Sequence, residues 1–413
     1  MSVLMVTNPQ MIDIQKLTKD TFTKDTGITV KYTALPENEL RDKVTQDVAT
    51  GAGQYDVVSV GAYEVPIWAK NGWLKDLDSY ANAEGYDKAD LLEPITTVLT
   101  GEDGKLYGLP FYGESSFLMY RKDIFKQEGI SMPERPTWTQ VASMAAKVDG
   151  AQPGMKGICL RGLPGWGEQG GPLTTVVNTF GGTWFTKDWQ AQVNAPEFKQ
   201  AVNFYVDLVR KHGEPGAAQA GFTECLNSFS QSKTAMWYDA TSAAGSVEDP
   251  KESKVAGKVG YVQAPVEKTK SSGWLWTWAW VMPETTENAD AASQFMTWAT
   301  SKEYEQTVGE QLGWSRVPAG KRKSTYEIPE YKKASAAFGP QTLQAIQEAN
   351  PENPGVQPRP TVGVQFVGIP EFQDLGTKVT QDIAAAMTGR GTVDEALDKG
   401  QAEAETIAEK YQK

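Results

Sequence analysis

Within its first 72 residues the chain three times follows a short apolar run with a helical pattern ended by glycine. Ser2–Val6 reads as a buried strand, and Met11, Ile14 and Leu17 then recur at helical spacing until Gly27. "ITVKYTAL" is a second strand, followed by "NELRDKVTQDVATG", in which Leu40, Val44 and Val48 fall on one face and Gly51 closes the helix. "YDVVSV" is a third, before a helix carrying Val65, Ile67 and Trp68 up to Gly72. Strand and helix in alternation imply an α/β fold whose parallel strands are joined by right-handed crossovers. Such sheets bind ligands outside the carboxyl ends of their strands. Asn8 and Gln10 lie at that end of the first strand, and Tyr63 and Glu64 at that end of the third. Asn8 stands before Pro9, so helix capping and ligand contact are both open to it.

At 413 residues the chain is longer than one core usually serves, which predicts two domains. Two further strand-like runs, Leu106–Phe111 and Ser116–Tyr120, are broken by "YGES", where Gly113 suits a crossing between domains and Glu114 sits at the break. A second alternating region follows: strand "KGICLRG", the glycine-rich loop "LPGWGEQGG", two helices, and strand "TAMWYD". Its strand ends carry Arg161 and Asp239. "NPENPGVQPRP" reads as a proline-rich loop, and the tail from Val379 as two amphipathic helices.

Several chemistries are disfavoured. A net charge of -12 repels phosphate backbones, so no nucleic acid is expected as a partner. No apolar run approaches the roughly 20 residues of a membrane span. Phosphate-binding GxxxxGK[ST] and nucleophile-elbow GxSxG motifs are both missing. His212, Cys159 and Cys225 are the only soft ligands and have no spaced partners, so no metal or other cofactor is expected. The cysteines read either as one disulfide or as two buried thiols. Glu114 and Asp239 could serve as the acid and base of a glycoside-processing enzyme, which is the enzymatic alternative.

The chain has 13 tryptophans. Trp274, Trp276, Trp278 and Trp280 alternate along "SSGWLWTWAWVMP", so in a strand all four rings share one face. Trp166, Trp184 and Trp314 lie in glycine-rich loops, where an exposed indole needs something to cover. Sugars and polyols offer CH faces to indoles, and hydroxyls to carboxylates, amides and guanidinium groups. The indoles therefore point to a polyhydroxylated ligand.

The strings "TGITVKYTALPENELRDKVTQDVATGAGQYDVVSV", "LYGLPFYGESSFLMYRKDIF", "PTWTQV", "SKTAMWYDATSA" and "WVMPETTENADAASQFMTWATSKE" occur in this order. Together they resemble the extracellular solute-binding proteins of ATP-binding-cassette (ABC) sugar importers. "ICLRGLPGWGE", "MWYDATSAAG" and "SGWLWTWAW" are most similar to the sorbitol- and mannitol-binding branch. The resemblance implies a two-lobed type II periplasmic-binding-protein fold, with three hinge crossings and a ligand cleft between the lobes. The crossings would fall near Phe111–Ser115, Lys270–Trp274 and Val317–Lys321. That makes residues 1–113 and 273–318 the first lobe, and 114–272 and 319–413 the second.

It further implies a non-enzymatic receptor that takes a small polyol or monosaccharide and presents it to a membrane permease. Binding an oligosaccharide in the same role is the alternative. Trp166 and Trp274 would sandwich the carbon chain, with Trp276 beside them. Glu114 and Asp239 would accept hydroxyl hydrogens, and Arg161 and Arg316 would donate. Asn8, Gln10 and Tyr63 complete the first-lobe wall, and Tyr112 and Trp184 are also counted among the ligand residues. A monomer is expected, outside the cytoplasm, periplasmic or lipid-anchored at the outer face of the membrane. The sequence as it stands opens without a basic leader or cleavable apolar stretch, which fits either a cytoplasmic protein or a mature form whose export signal has been removed; the resemblance implies the second.

Overall fold

Nine strands organise the computed structural model, which describes residues 1–412. They are β1 (Ser2–Val6), β2 (Lys31–Leu35), β3 (Val57–Gly61), β4 (Leu109–Glu114), β5 (Ser116–Arg121), β6 (Lys156–Cys159), β7 (Thr234–Ala240), β8 (Val259–Gln263) and β9 (Trp276–Val281). The chain forms two units, Met1–Glu114 with Trp276–Gly339, and Ser115–Leu275 with the segment from Pro340 onward.

The first unit is built on a five-stranded sheet of order β2-β1-β3-β9-β4. β1 pairs parallel with both β2 and β3, the arrangement that the strand–helix alternation requires. β9 enters antiparallel between β3 and β4. The helix Pro9–Thr18 buries Met11, Ile14 and Leu17, and Glu37–Thr50 buries Leu40, Val44 and Val48. Gly27 and Gly51 end their helical segments with φ of 76° and 65°, a left-handed conformation that only glycine adopts without strain.

β4 is an edge strand, and its edge is covered from within the unit. The Gly113 N–H donates to the Ala319 carbonyl at 3.1 Å, and a Cβ on Gly113 would stand 2.2 Å from the Gly320 oxygen. Just beyond, Lys321 and Arg322 are completely buried. Lys321 pairs with Glu305, while Arg322 donates to the carbonyls of Thr300 and Tyr86. These bonds hold residues 319–339 in the first unit, a correction to the assignment of that segment to the second lobe. The third crossing therefore falls at Gly339–Pro340.

The second unit has a four-stranded sheet of order β6-β7-β5-β8, with β6 and β7 parallel and β5 antiparallel to β7 and β8. The helix Gly170–Phe180 is buried along its whole length, and its Thr175, Asn178 and Thr179 side chains are hydrogen-bonded within the unit. Pro196–His212, Phe372–Met387 and Val393–Ala408 are amphipathic and cover the unit. Cys159 and Cys225 form a disulfide, with Cα atoms 5.7 Å apart.

Candidate functional site

Strand direction gathers polar residues at one end of each sheet. In the first unit, β1 and β3 deliver Asn8 and Tyr63 from their carboxyl ends. β9 runs the opposite way, so its first residue, Trp276, arrives at that same end, directly opposite Glu114 of β4. The Trp276 indole lies across β3 at Gly61, where an added Cβ would be 2.0 Å from Cζ2. A side chain at position 61 would evict the ring.

Asn8 occupies the N-cap position of the helix Pro9–Thr18 without making a side-chain cap bond. Its Nδ2 donates instead to the Tyr112 hydroxyl at 2.8 Å, which joins two expected ligand residues across the sheet. Gln10 lies in the first turn of that helix, and Tyr63 is buried just before the helix Glu64–Lys70. Arg316 is held by Asp13 through two bonds, Nε to Oδ2 at 2.8 Å and Nη2 to Oδ1 at 2.9 Å. That pair leaves the Arg316 guanidinium charged and fixed in direction.

Arg41 was missed by the sequence reading. It is buried on the helix Glu37–Thr50, pairs with Glu37 and Glu64, and lies 5.2 Å from the centroids of both the Trp276 and Trp278 rings. Burial opposes its charge, but Glu64 and Glu37 outweigh burial and hold it above the ordinary arginine value. Glu64 also accepts the Gly61 N–H at 3.1 Å, so the pair braces the strand end beneath the indole. A signal was available: Arg41, Val44 and Val48 share a helical stripe, with Glu37 one turn before the arginine.

In the second unit, Arg161 follows β6 and Asp239 sits near the end of the parallel strand β7. The Asp239 carboxylate has no exposure and accepts four hydrogen bonds. They come from Arg161 Nε at 2.8 Å and Nη2 at 2.5 Å, Trp237 Nε1 at 3.1 Å and the Ala240 N–H at 2.7 Å. Four bonds fill the lone pairs of a carboxylate. Asp239 therefore positions Arg161, which differs from the hydroxyl-accepting role expected of it. The same saturation leaves it poorly suited to be the acid or base of a glycosidase. Glu168 adds a further contact to Arg161 at 3.3 Å and accepts the Phe222 N–H at 3.0 Å.

The expected indoles divide. Trp274 precedes β9, donates its backbone N–H to Ser116 Oγ at 3.2 Å and meets Tyr238 edge-on at 5.9 Å. Burial pushes the Tyr238 hydroxyl up to about 12. Trp166 packs edge-on against Phe366 and Phe372. Trp184 corrects the sequence reading: its ring is wedged between Phe198 and Phe372, and its N–H is taken by Thr174 Oγ1 at 3.2 Å. It is a core residue because the fold satisfies both its ring and its polar atom. Trp280 likewise packs on Phe111 and Phe295.

Among the described residues no cluster of three His, Cys, Asp or Glu side chains could hold a metal ion, and no helix is long and apolar enough to cross a membrane.

A family model for bacterial extracellular solute-binding proteins matches residues 8–306. The chain is 41% identical to a mannitol-binding protein of Pseudomonas aeruginosa, over 97% of this chain and 91% of that protein. An ABC transporter solute-binding protein of Agrobacterium vitis, solved with bound D-mannitol, superposes with a TM-score of 0.96 at 48% identity, covering 99% of this chain and 98% of the other. A solute-binding protein of Agrobacterium radiobacter, in complex with ribitol, shares the fold at a TM-score of 0.86 and 23% identity, with 98% of each chain covered.

Proposed function

The chain belongs to the bacterial extracellular solute-binding protein family, and on that footing we propose that it is the receptor of an ABC importer for a linear polyol, D-mannitol or a close relative. Its fold is the two-lobed type II fold of periplasmic binding proteins. The observation that carries the proposal is that each unit holds a buried indole and a guanidinium locked by a carboxylate. The first unit has Trp276 with Arg316–Asp13, and the second has Trp274 with Arg161–Asp239.

In this reading the flat rings take the CH faces of the carbon chain. Glu114 accepts hydroxyl hydrogens, and the two arginines donate to hydroxyl oxygens. Both arginines are fixed before the ligand arrives, so little orientational freedom is lost on binding. A change of conformation on binding is favoured only as far as the ligand binds one form better than the other. No bond in the ligand is made or broken. The solute then passes to a membrane permease, with the receptor working outside the cytoplasm.

A micromolar dissociation constant corresponds to about -8 kcal/mol. A hexitol of about twelve heavy atoms reaches that at roughly 0.7 kcal/mol per atom, inside the range for small ligands. The test is a titration of intrinsic tryptophan fluorescence with D-mannitol, sorbitol, ribitol, arabitol, glucose and maltose. Saturation by a hexitol at micromolar concentration is expected. Saturation by maltose alone would favour an oligosaccharide receptor, and no response to any of the six would defeat the reading.

A further inference from the structure

Gln169 immediately precedes the helix Gly170–Phe180 and has no exposed surface. Its main chain is fully used: its N–H donates to the Leu163 carbonyl at 3.1 Å, and its carbonyl accepts from the Leu173 N–H at 3.1 Å. Its side chain is not, since neither the amide nitrogen nor the amide oxygen has a hydrogen-bond partner. Buried primary amides are almost always bonded, because an unmet donor or acceptor keeps its full desolvation cost. The fold thus keeps a polar group at this position that it does not itself satisfy.

The surroundings indicate what such a group is for. Gly171 is buried, yet a Cβ placed there would meet no atom within 4 Å, so the first helical turn borders open space. Glu168, the preceding residue, is ion-paired with Arg161. Trp274 carries a second buried donor without a partner, its indole N–H. The Trp274 ring touches Tyr238, whose hydroxyl lies 2.8 Å from Thr175 Oγ1 on this same helix. An orphaned amide, an orphaned indole N–H and a carboxylate-fixed guanidinium are therefore linked through one helix and its entry loop.

We propose that the Gln169 carboxamide reads a vicinal diol, with Nε2 donating to one ligand oxygen and Oε1 accepting from the neighbouring hydroxyl, while the Trp274 indole N–H donates to an adjacent oxygen. The identity of the ligand in this inference rests on the polyol reading above. A carboxamide presents one donor face beside one acceptor face, and adjacent hydroxyls offer the complementary pair. A carboxylate in its place would only accept. This makes Gln169 a specificity-determining residue.

The test separates binding from stability. Gln169→Met keeps the length of the side chain and removes both polar atoms. The dissociation constant for D-mannitol, measured by calorimetric titration, is expected to rise ten- to hundredfold. The Tm of the protein without added polyol should equal or exceed that of wild type, because an unmet buried amide has been removed. Gln169→Asn, which withdraws the amide by one methylene, should also weaken binding. A D-mannitol affinity unchanged in Gln169→Met would overturn the proposal, and so would a lowered Tm, which would mean that the fold itself pairs the amide. If wild-type protein binds no polyol, the functional reading fails separately. The Tm comparison then still decides the amide: an equal or higher value supports an amide left for a ligand, and a lower value refutes it.

Discussion

Asp239 grips Arg161 edge to edge, with Nε to Oδ2 at 2.8 Å and Nη2 to Oδ1 at 2.5 Å. Both side chains are buried, and Trp237 and Ala240 occupy the remaining acceptor positions of the carboxylate. The pair behaves as one rigid group that presents a guanidinium in a set direction.

Removing the carboxylate charge should therefore act through the arginine. Asp239→Asn is expected to weaken D-mannitol binding at least tenfold. It should also destabilise the protein by about 3–5 kcal/mol, as breaking a buried ion pair does. A double-mutant cycle with Arg161→Met, followed by calorimetric titration and urea unfolding, should give clearly less than additive losses. Additive losses would mean that the two residues act independently.

Trp276 and Trp184 should differ in kind. Gly61→Ala drives a methyl group into the Trp276 ring, so it should lower ligand affinity and shift the tryptophan emission. Trp184→Ala should cost about 3–5 kcal/mol of stability through the cavity it leaves between Phe198 and Phe372, with the dissociation constant for D-mannitol unchanged.

The disulfide spans 66 residues of sequence. In the loop-entropy account a closure of that length stabilises by about 4 kcal/mol. Urea midpoints measured with and without dithiothreitol should differ in that direction, and Cys159→Ser with Cys225→Ser should reproduce the reduced state.

Asp56 predicts a pH dependence. Burial would raise its carboxyl, but hydrogen bonds from the Ser2 N–H and the Asn288 and Thr286 side chains outweigh burial and hold it below the usual carboxylate range. A lowered folded-state value adds stability above the unfolded carboxyl's titration range, and that stability is lost as pH falls through the folded one. Asp56→Asn should therefore be less stable than wild type at pH 7. The gap in urea midpoint should close as the pH is lowered past the wild-type carboxyl's titration.

Much of the fold was legible locally. The apolar stripe of the helix Glu37–Thr50 and the alternation that makes β1, β2 and β3 parallel are short-range patterns, and both appear where periodicity puts them. So do the strand ends that carry Asn8, Arg161 and Asp239, since direction along a parallel sheet follows from connectivity. Trp184 was not legible. A tryptophan after two glycines looks the same whether its partner is a solute or, as here, Phe372, which lies 188 positions along the chain.

That strands and helices alternate, that indoles recur with period two, and which polar residue types lie at the strand ends can all be read along the chain. These depend only on neighbours in the chain. Tertiary structure decided that Asp239 serves Arg161, that Asn8 bonds Tyr112 and forgoes its helix cap, that residues 319–339 stay with the first unit, and that the Gln169 amide has no partner in the fold. Each of these is a competition among groups distant in sequence for a limited number of donors and acceptors, and only the assembled packing resolves it.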